Sequence, residues 1–150
     1  MKYYFKPDWF IILTTLLVAS GIGMLISIIQ WNSILSFFFL ILMIGILIYG
    51  FAVLPLWTEV TENTIKVKQV IGAKKFKLNE VTLTKLSKDD LKGAIRVFGS
   101  GGYGGYTGWL RNNQLGKFFM LILNKKELAM IETPKGRKFV INYPEQLFYK

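Results

Sequence analysis

The chain contains no cysteine and no histidine among its 150 residues. Without cysteine it has no disulfide, no thiolate nucleophile and no cysteine-ligated metal. Without histidine it lacks the commonest general base and the commonest metal ligand. The adjacent carboxylates Asp89 and Asp90 have no second acidic cluster near them in the sequence, so we expect them to cap a turn or to be solvated. The sequence therefore predicts a protein that is not an enzyme and that binds no metal or cofactor.

Acidic residues are also scarce. The chain has 19 Lys and Arg against 9 Asp and Glu, a net charge of +10. Residues 57–150 hold 17 of the basic and 8 of the acidic residues, which leaves a net charge of +9 on this part. A strongly basic domain next to a bilayer favours contact with the anionic cytoplasmic leaflet. No helix-turn-helix, zinc-finger or RNA-binding aromatic motif is present, so nucleic acid is not an expected partner.

Two long apolar runs without a charged residue occupy the first third of the chain, at residues 9–29 and 34–54. A helix of this length spans about 31 Å, close to the hydrocarbon thickness of about 30 Å. Only residues 30–33 separate the two runs. The pattern predicts a transmembrane helical hairpin within residues 1–55 and one mainly-β domain in residues 56–150.

A cleaved signal peptide is the alternative to the first membrane helix, because Lys2 and Lys6 form a short basic segment before it. A small-residue site comparable to a cleavage site ends at Ser20. The apolar run continues to residue 29, well past a usual signal core of about 7–15 residues. We therefore expect an uncleaved membrane helix.

The distribution of charge predicts the orientation of the hairpin. Basic residues precede the first run and follow the second, and residues 30–33 have none. By the positive-inside rule both termini lie in the cytoplasm. Trp9, Trp31 and Trp57 fall at the predicted helix ends, where aromatic rings favour the membrane–water interface.

Small residues recur at every fourth position of the first helix, at Ala19, Gly23 and Ser27. Ser36 and Gly45 lie at matching heights in the second helix, and small residues allow two helices to approach closely. We expect the two helices of one chain to pack through these residues, with a dimer between chains as the alternative. Neither run has an ionisable side chain, which disfavours a transporter or a pump.

Residues 64–70 and 74–78 alternate between apolar residues and lysine. This period of two predicts a pair of half-buried strands, joined by a two-residue turn at residues 71–72. The predicted register pairs four lysines on one face, Lys68 with Lys75 and Lys66 with Lys77. We call these four side chains the lysine plate. It either contacts anionic headgroups, at about 1 kcal/mol per lysine, or forms a solvated face.

Two further segments stand out in the β-rich part. Residues 117–123 are apolar on both faces, which is typical of a central strand. Residues 99–108 are rich in glycine and contain a literal G-x-G-x-x-G. No helix follows it, so a dinucleotide site is rejected. The aromatic residues at and after the tip either dip into the bilayer interface or pack locally, and they are Tyr103, Tyr106 and Trp109.

The stretch that begins at Arg96, RVFGSGGYGGYTGWLRNNQLGKF, resembles the signature loop of bacterial PH-like (pleckstrin-homology-like) domain proteins. The later IETPKGRKFVI and YPE segments match the same pattern in order, and the resemblance covers about residues 56–150. It implies a seven-stranded, partly open PH-like barrel with a short C-terminal helix, which follows the membrane hairpin. It also implies a multi-pass protein of the bacterial cytoplasmic (inner) membrane.

The function expected from these features is a non-catalytic binding module that contacts anionic lipid headgroups through the lysine plate. Three further cations flank the glycine-rich stretch and are candidates for the same contact: Arg96, Arg111 and Lys117. The alternative is a structural or regulatory subunit that docks a membrane protein partner, or a second copy, through an exposed sheet edge or the barrel end.

Overall fold

The computed structural model describes residues 1–28 and 34–149. Helix α1 spans Trp9–Ile28 and helix α2 spans Ile34–Ala52. Both are long and apolar enough to cross a membrane. Helix α2 ends two residues before the predicted residue 54, and Pro55, which cannot continue a helix, begins the first strand after it. The predicted loop at residues 30–33, with Trp31, lies outside the described residues.

Strands occupy most of the rest of the described chain and form two sheets. A four-stranded sheet has the order β1-β2-β3-β4, and a six-stranded sheet has the order β5-β9-β10-β8-β7-β6. The strands are β1 Lys2–Tyr3, β2 Pro55–Val60, β3 Thr64–Gln69, β4 Ala73–Lys77, β5 Thr82–Leu86, β6 Ile95–Gly101, β7 Tyr106–Asn112, β8 Gly116–Ile122, β9 Leu128–Glu132 and β10 Lys138–Asn142.

The N-terminal residues belong to the four-stranded sheet, although the sequence assigned them to the membrane hairpin. Lys2 pairs with Glu59 and Tyr3 pairs with Thr58 in antiparallel register. Strand β1 therefore closes the free edge of β2 before the chain enters helix α1.

A closed barrel and a C-terminal helix are not confirmed. Within residues 1–28 and 34–149 no strand pairing joins the two sheets. After β10 the chain forms one short 3-10 turn, Glu145–Phe148, where the resemblance implied a closing helix. The mainly-β character of the domain after two apolar helices is confirmed.

Strand β8 lies at the centre of the core and is buried on both faces, as its apolar sequence predicted. Phe118 and Met120 pack in a cluster that also holds Ile11 of helix α1. Leu121 packs in a second cluster with Ile65 of the four-stranded sheet. The six-stranded sheet is therefore the middle layer, between the four-stranded sheet and the start of helix α1.

The predicted register of the β3–β4 hairpin is wrong. The turn residues are Val70 and Ile71, because the amide of Gln69 donates to the carbonyl of Gly72 (3.3 Å). Gly72 has φ +85°, the left-handed conformation of the residue that follows a type I hairpin turn. The glycine thus marks the position after the turn. In the observed register Lys66 lies opposite Lys75, Lys68 opposite Ala73 and Lys77 opposite Thr64.

Candidate functional site

The glycine-rich β6–β7 hairpin inserts its tip between the two long helices. The amide of Gly104 donates to Oγ1 of Thr15 in helix α1 (3.0 Å). The hydroxyl of Tyr103 donates to the carbonyl of Leu47 in helix α2 (3.4 Å). Thr15 is six residues into helix α1, about 9 Å along its axis. The hairpin tip therefore lies about 9 Å along helix α1 from its first residue, and Tyr103 packs there against helix α2 of its own chain.

Glycine is required where the hairpin is narrow. Gly99 and Gly108 face each other in the β6–β7 register, with φ +118° and +136°. A Cβ on either one would lie under 3.0 Å from backbone atoms of the facing strand. On helix α2, a Cβ at Gly50 would lie 2.6 Å from the ring of Tyr103. The glycines thus permit a close approach of the two backbones.

The turn between β8 and β9 holds the segment that precedes helix α1. The amide of Asp8 donates to the carbonyl of Leu123 (3.0 Å). The side-chain amide of Asn124 donates to the carbonyl of Lys6 (2.9 Å). The amide of Lys125 donates to the carboxylate of Asp8 (3.3 Å). The β-domain is therefore fixed directly to the start of helix α1.

The β3–β4 turn holds the end of helix α2 in the same way. The amide of Val70 donates to the carbonyl of Leu54 (3.1 Å), and the amide of Ile71 donates to the carbonyl of Ala52 (2.9 Å). Strands β2 and β3 thus have one end at helix α2 and the other end away from it.

This arrangement sets the distance of each plate lysine from the helix ends. Lys68 is two residues from Val70, about 7 Å along the strand, whereas Lys77 lies opposite Thr64, about 20 Å from Val70. The lysine plate therefore extends away from helix α2. Lys68, at one end of the plate, is closest to helix α2, and Lys77, at the other end, is farthest from it.

Two of the four plate lysines have acidic partners. Lys66 lies 3.7 Å from the carboxylate of Glu59, and Lys77 lies 2.7 Å from that of Glu80. Lys68 and Lys75 form no ion pair within the described parts of the chain. The net positive charge at the plate is thus smaller than its sequence suggests. Lys68 and Lys75 carry the charge that no acidic partner offsets in the described parts of the chain.

The three cations predicted around the glycine-rich stretch do not come together. Arg111 and Lys117 are paired neighbours at the far end of the β7–β8 hairpin. The ammonium of Lys117 lies 5.1 Å from the ring centroid of Trp109, which itself packs edge-on against Phe119 (5.3 Å). Arg96 lies opposite Leu110, one position along the ladder from the Ile95–Arg111 pair, so its side chain is on the other face of the sheet from Arg111. Its guanidinium lies near Gly101, toward the hairpin tip.

A basic cavity that the sequence analysis missed lies beside the first turn of helix α1. It has a volume of about 310 Å³, and we call it the helix-foot pocket. Its apolar wall includes Phe10, which stacks on the ring of Tyr106 (6.5 Å between centroids). Its basic lining consists of Lys88, Lys92, Arg96 and Lys125. Lys88, Lys92 and Arg96 belong to one segment, whereas Lys125 and Phe10 are distant from it in the chain, so no single sequence motif contains the whole lining.

Titratable groups at this pocket are perturbed by burial. Desolvation lowers the pKa of the Arg96 guanidinium, and the nearby Tyr106 hydroxyl partly offsets this effect. Burial, with the adjacent Asp8 carboxylate, raises the pKa of Tyr106. Arg96 is nevertheless an exposed residue as a whole, so its guanidinium remains charged and accessible to solvent.

The small residues of the helices do not lie at a contact between them. Ala19, Gly23 and Ser27 are exposed on helix α1, as is Gly45 on helix α2. A Cβ added at Gly23 or Gly45 would meet no atom within 4 Å, while Ser36 is half-buried. Close packing within the hairpin is therefore not seen at either glycine.

Strand β6 forms a free apolar edge of the six-stranded sheet. Ile95, Val97 and Phe98 have 74%, 61% and 63% of their surface exposed. Phe98 and Tyr103 also line an apolar cleft of about 750 Å³ against helix α2. In the described parts of the chain, no group of three acidic side chains is placed to hold a metal ion.

Comparison with known protein families identifies a match. The family model of the bacterial PH domain matches residues 57–146, more than half of the chain, from the third residue of β2 to the 3-10 turn after β10. No curated protein and no solved structure matches the chain.

Proposed function

Because the chain belongs to the bacterial PH-domain family, we propose that it is a non-catalytic binding module of the bacterial cytoplasmic membrane. Helices α1 and α2 anchor it, with both termini in the cytoplasm. The β-domain contacts the headgroups of anionic lipids. PH-like folds bind lipids, peptides and proteins, so the ligand is argued from the surface and not from the fold.

The observation that carries this proposal is the fixed position of a basic domain at the ends of two membrane-length helices. Hydrogen bonds from the β3–β4 turn to helix α2, and from the β8–β9 turn to the start of helix α1, hold it there. Each lysine near an anionic surface contributes about 1 kcal/mol, within a Debye length of about 8–10 Å. Lys68 lies within this distance of the end of helix α2. Neither Lys68 nor Lys75 forms an ion pair in the described parts of the chain.

We expect the double variant K68Q/K75Q to lose much of the preference for anionic lipid. The measurement is the selectivity for spin-labelled phosphatidylglycerol over phosphatidylcholine, by electron spin resonance on the full chain in bilayers. Lys68 lies within the Debye length and contributes about 1 kcal/mol, whereas Lys75, opposite Lys66 and about 13 Å from Val70, contributes less. A loss of about 1 kcal/mol corresponds to about a fivefold fall in the relative association constant. High salt should reduce the selectivity of the wild type as well.

The matched control is K66Q/K77Q, which removes the same charge from the same face. Both of these lysines already have carboxylate partners, and an exposed pair of this kind contributes little. We therefore expect a smaller decrease than with K68Q/K75Q. Equal selectivity in both variants and the wild type would refute contact between the plate and the lipid.

Docking of a membrane protein partner is the second candidate function, and the free edge of β6 favours it. Exposed edge strands with apolar side chains are templates for strand addition. A photo-crosslinking residue at position 97 should then form one discrete product in native membranes, whereas the same residue at position 135, in the β9–β10 turn, should form none. The product should disappear when Phe98→Lys is added. Reaction at neither position would argue against this function.

A further inference from the structure

We propose that the helix-foot pocket binds the phosphate of an anionic phospholipid headgroup, with Arg96 as its principal ligand. The inference rests on the proposed placement of helix α1 in the membrane. It differs from the contact at the lysine plate, because it is a concave site for one lipid molecule, formed by another part of the surface.

The pocket has the size and position for one small headgroup. Its volume of about 310 Å³ is at the lower end of ligand sites, which run from about 300 to 1,000 Å³. The first turn of helix α1 forms one wall through Phe10, and the adjacent Trp9 is 71% exposed. Aromatic residues at a helix end mark the depth of the headgroups. A phosphate in the pocket would therefore lie at the depth where lipid phosphates are.

The lining carries a clear excess of positive charge. Lys88, Arg96 and Lys125 form no ion pair within residues 1–28 and 34–149, and only Lys92 has one, with the exposed Asp89 (2.9 Å). The ammonium of Lys125 lies 4.6 Å from the ring centroid of Tyr106. These cations converge on one cavity without a carboxylate in its lining.

A second carboxylate near the pocket, besides that of Asp89, belongs to Asp8, and it has other partners. It accepts a hydrogen bond from the backbone amide of Lys125 (3.3 Å) and lies next to the hydroxyl of Tyr106. It lines an adjoining cavity that shares Phe10, Lys88, Tyr106 and Lys125 with the pocket, and it forms no ion pair with Arg96.

Arg96 is the residue best placed to hold a phosphate. Its guanidinium lies against the backbone of Gly101, where an added Cβ would be under 3.0 Å from it. Arg96 is an exposed residue and forms no ion pair in the described parts of the chain, so its guanidinium is open to an incoming anion. A planar guanidinium also donates two parallel hydrogen bonds to a phosphate.

The apolar part of the pocket favours a lipid over a soluble phosphate. Phe10, Leu91, Leu110 and Met120 line it together with the cations. Inorganic phosphate would leave this surface without a partner, whereas the glycerol and upper acyl carbons of a lipid would cover it and gain hydrophobic free energy. The lining, part cationic and part apolar, thus fits the region of a lipid where the headgroup meets the acyl chains.

The proposal is tested by calorimetric titration of the full chain in a neutral detergent. The probes are dihexanoyl phosphatidylglycerol, dihexanoyl phosphatidylcholine and inorganic phosphate. We expect the anionic lipid to bind at least about tenfold more tightly than either of the others, because a hydrogen bond to a charged group and the apolar contact act together. Equal binding of the zwitterionic lipid, or equal binding of inorganic phosphate, would overturn it.

Two variants examine Arg96 by different routes. Arg96→Gln removes the charge and should weaken binding of the anionic lipid about tenfold or more. Gly101→Ala keeps the charge but displaces the guanidinium, since Gly101 does not have a positive φ and the group it meets is a flexible side-chain end. It should weaken binding similarly. Should Arg96→Gln fail to fold, Gly101→Ala and Lys88→Gln carry the test.

The matched control is Arg137→Gln in the exposed β9–β10 turn, at the end of the strands away from helix α1. It removes the same charge and should leave the affinity within about twofold of the wild type. If the pocket variants bind like this control, the inference is wrong. A loss of bilayer selectivity in K68Q/K75Q would then still support the proposed function. The reverse pattern would support the pocket and refute the lysine plate.

Discussion

Replacing Gly108 by alanine is expected to lower the free energy of unfolding of the β-domain by about 3 kcal/mol or more. Gly108 has φ +136°, a conformation that costs other residues about 1–3 kcal/mol. A Cβ there would also lie under 3.0 Å from the backbone of Phe98 and Gly99. Backbone atoms paired in a ladder cannot move aside as a side-chain end can. Strands β6 and β7 would therefore have to separate where the hairpin enters between the helices.

The matched control is Gly116→Ala at the other end of the β7–β8 hairpin. Gly116 also has a positive φ, +70°, but an added Cβ would meet no atom within 4 Å. Only the conformational cost remains, about 1–2 kcal/mol. The midpoint of urea unfolding, followed by tryptophan fluorescence in one detergent, compares the two. Equal losses would show that the close approach of the strands does not contribute.

Replacing Asn142 by alanine is expected to lower the free energy of unfolding by about 3 kcal/mol. Asn142 is only 4% exposed. Its side-chain oxygen accepts from the amide of Leu123 (2.7 Å), and its side-chain nitrogen donates to the carbonyls of Asn124 (3.0 Å) and Glu127 (3.3 Å). Alanine would remove these hydrogen bonds from the buried amide of Leu123 and the buried carbonyl of Asn124, at about 1–3 kcal/mol for each group that water does not reach. The carbonyl of Glu127 would keep the amide of Tyr143 as a donor (3.0 Å).

Asn113→Ala provides the control for this prediction. Asn113 is exposed in the β7–β8 turn, so its loss should change the stability by less than about 0.5 kcal/mol. The same urea titration applies. Because Asn124 also donates to the carbonyl of Lys6, loss of Asn142 should loosen the segment before helix α1, seen as faster amide exchange at Asp8. A stability unchanged by Asn142→Ala would contradict this account of the network.

Local patterns were sufficient to predict the main elements of the fold. The absence of charge from two long runs predicted helices α1 and α2, and period-two alternation predicted strands β3 and β4. Apolar residues on both faces predicted that β8 is central, and its side chains are buried on both sides. The glycine-rich stretch and the segments after it identified the family, which the match over residues 57–146 confirms.

The errors concern the position of one glycine relative to a turn and the presence of one very short strand. Gly72 was assigned to the β3–β4 turn, but it occupies the position after it, and this moved the register of the lysine plate by two residues. Strand β1 is only two residues long and depends on pairing with β2. Such a strand has no periodicity that a sequence can display.

The candidate site was harder to predict than the fold, because its parts meet only in three dimensions. The helix-foot pocket joins Phe10, the link between β5 and β6, and the turn after β8. Neither Lys88 nor Lys125 stands in a motif. The only available signal was the excess of basic residues that no acidic residue balances, which indicates a partner but not the position where it binds.

The placement of the glycine-rich tip between the helices has a consequence for biosynthesis. With helices α1 and α2 in the membrane, as proposed above, residues 9–52 are made and enter the bilayer before residues 99–108 join the fold, since synthesis proceeds from the N-terminus. Tyr103 and Gly104 contact both helices, so the space that they fill must be held by lipid or water until the hairpin arrives. In this proposed placement the two helices insert as an incomplete unit, and the newly folded hairpin displaces those molecules when it arrives.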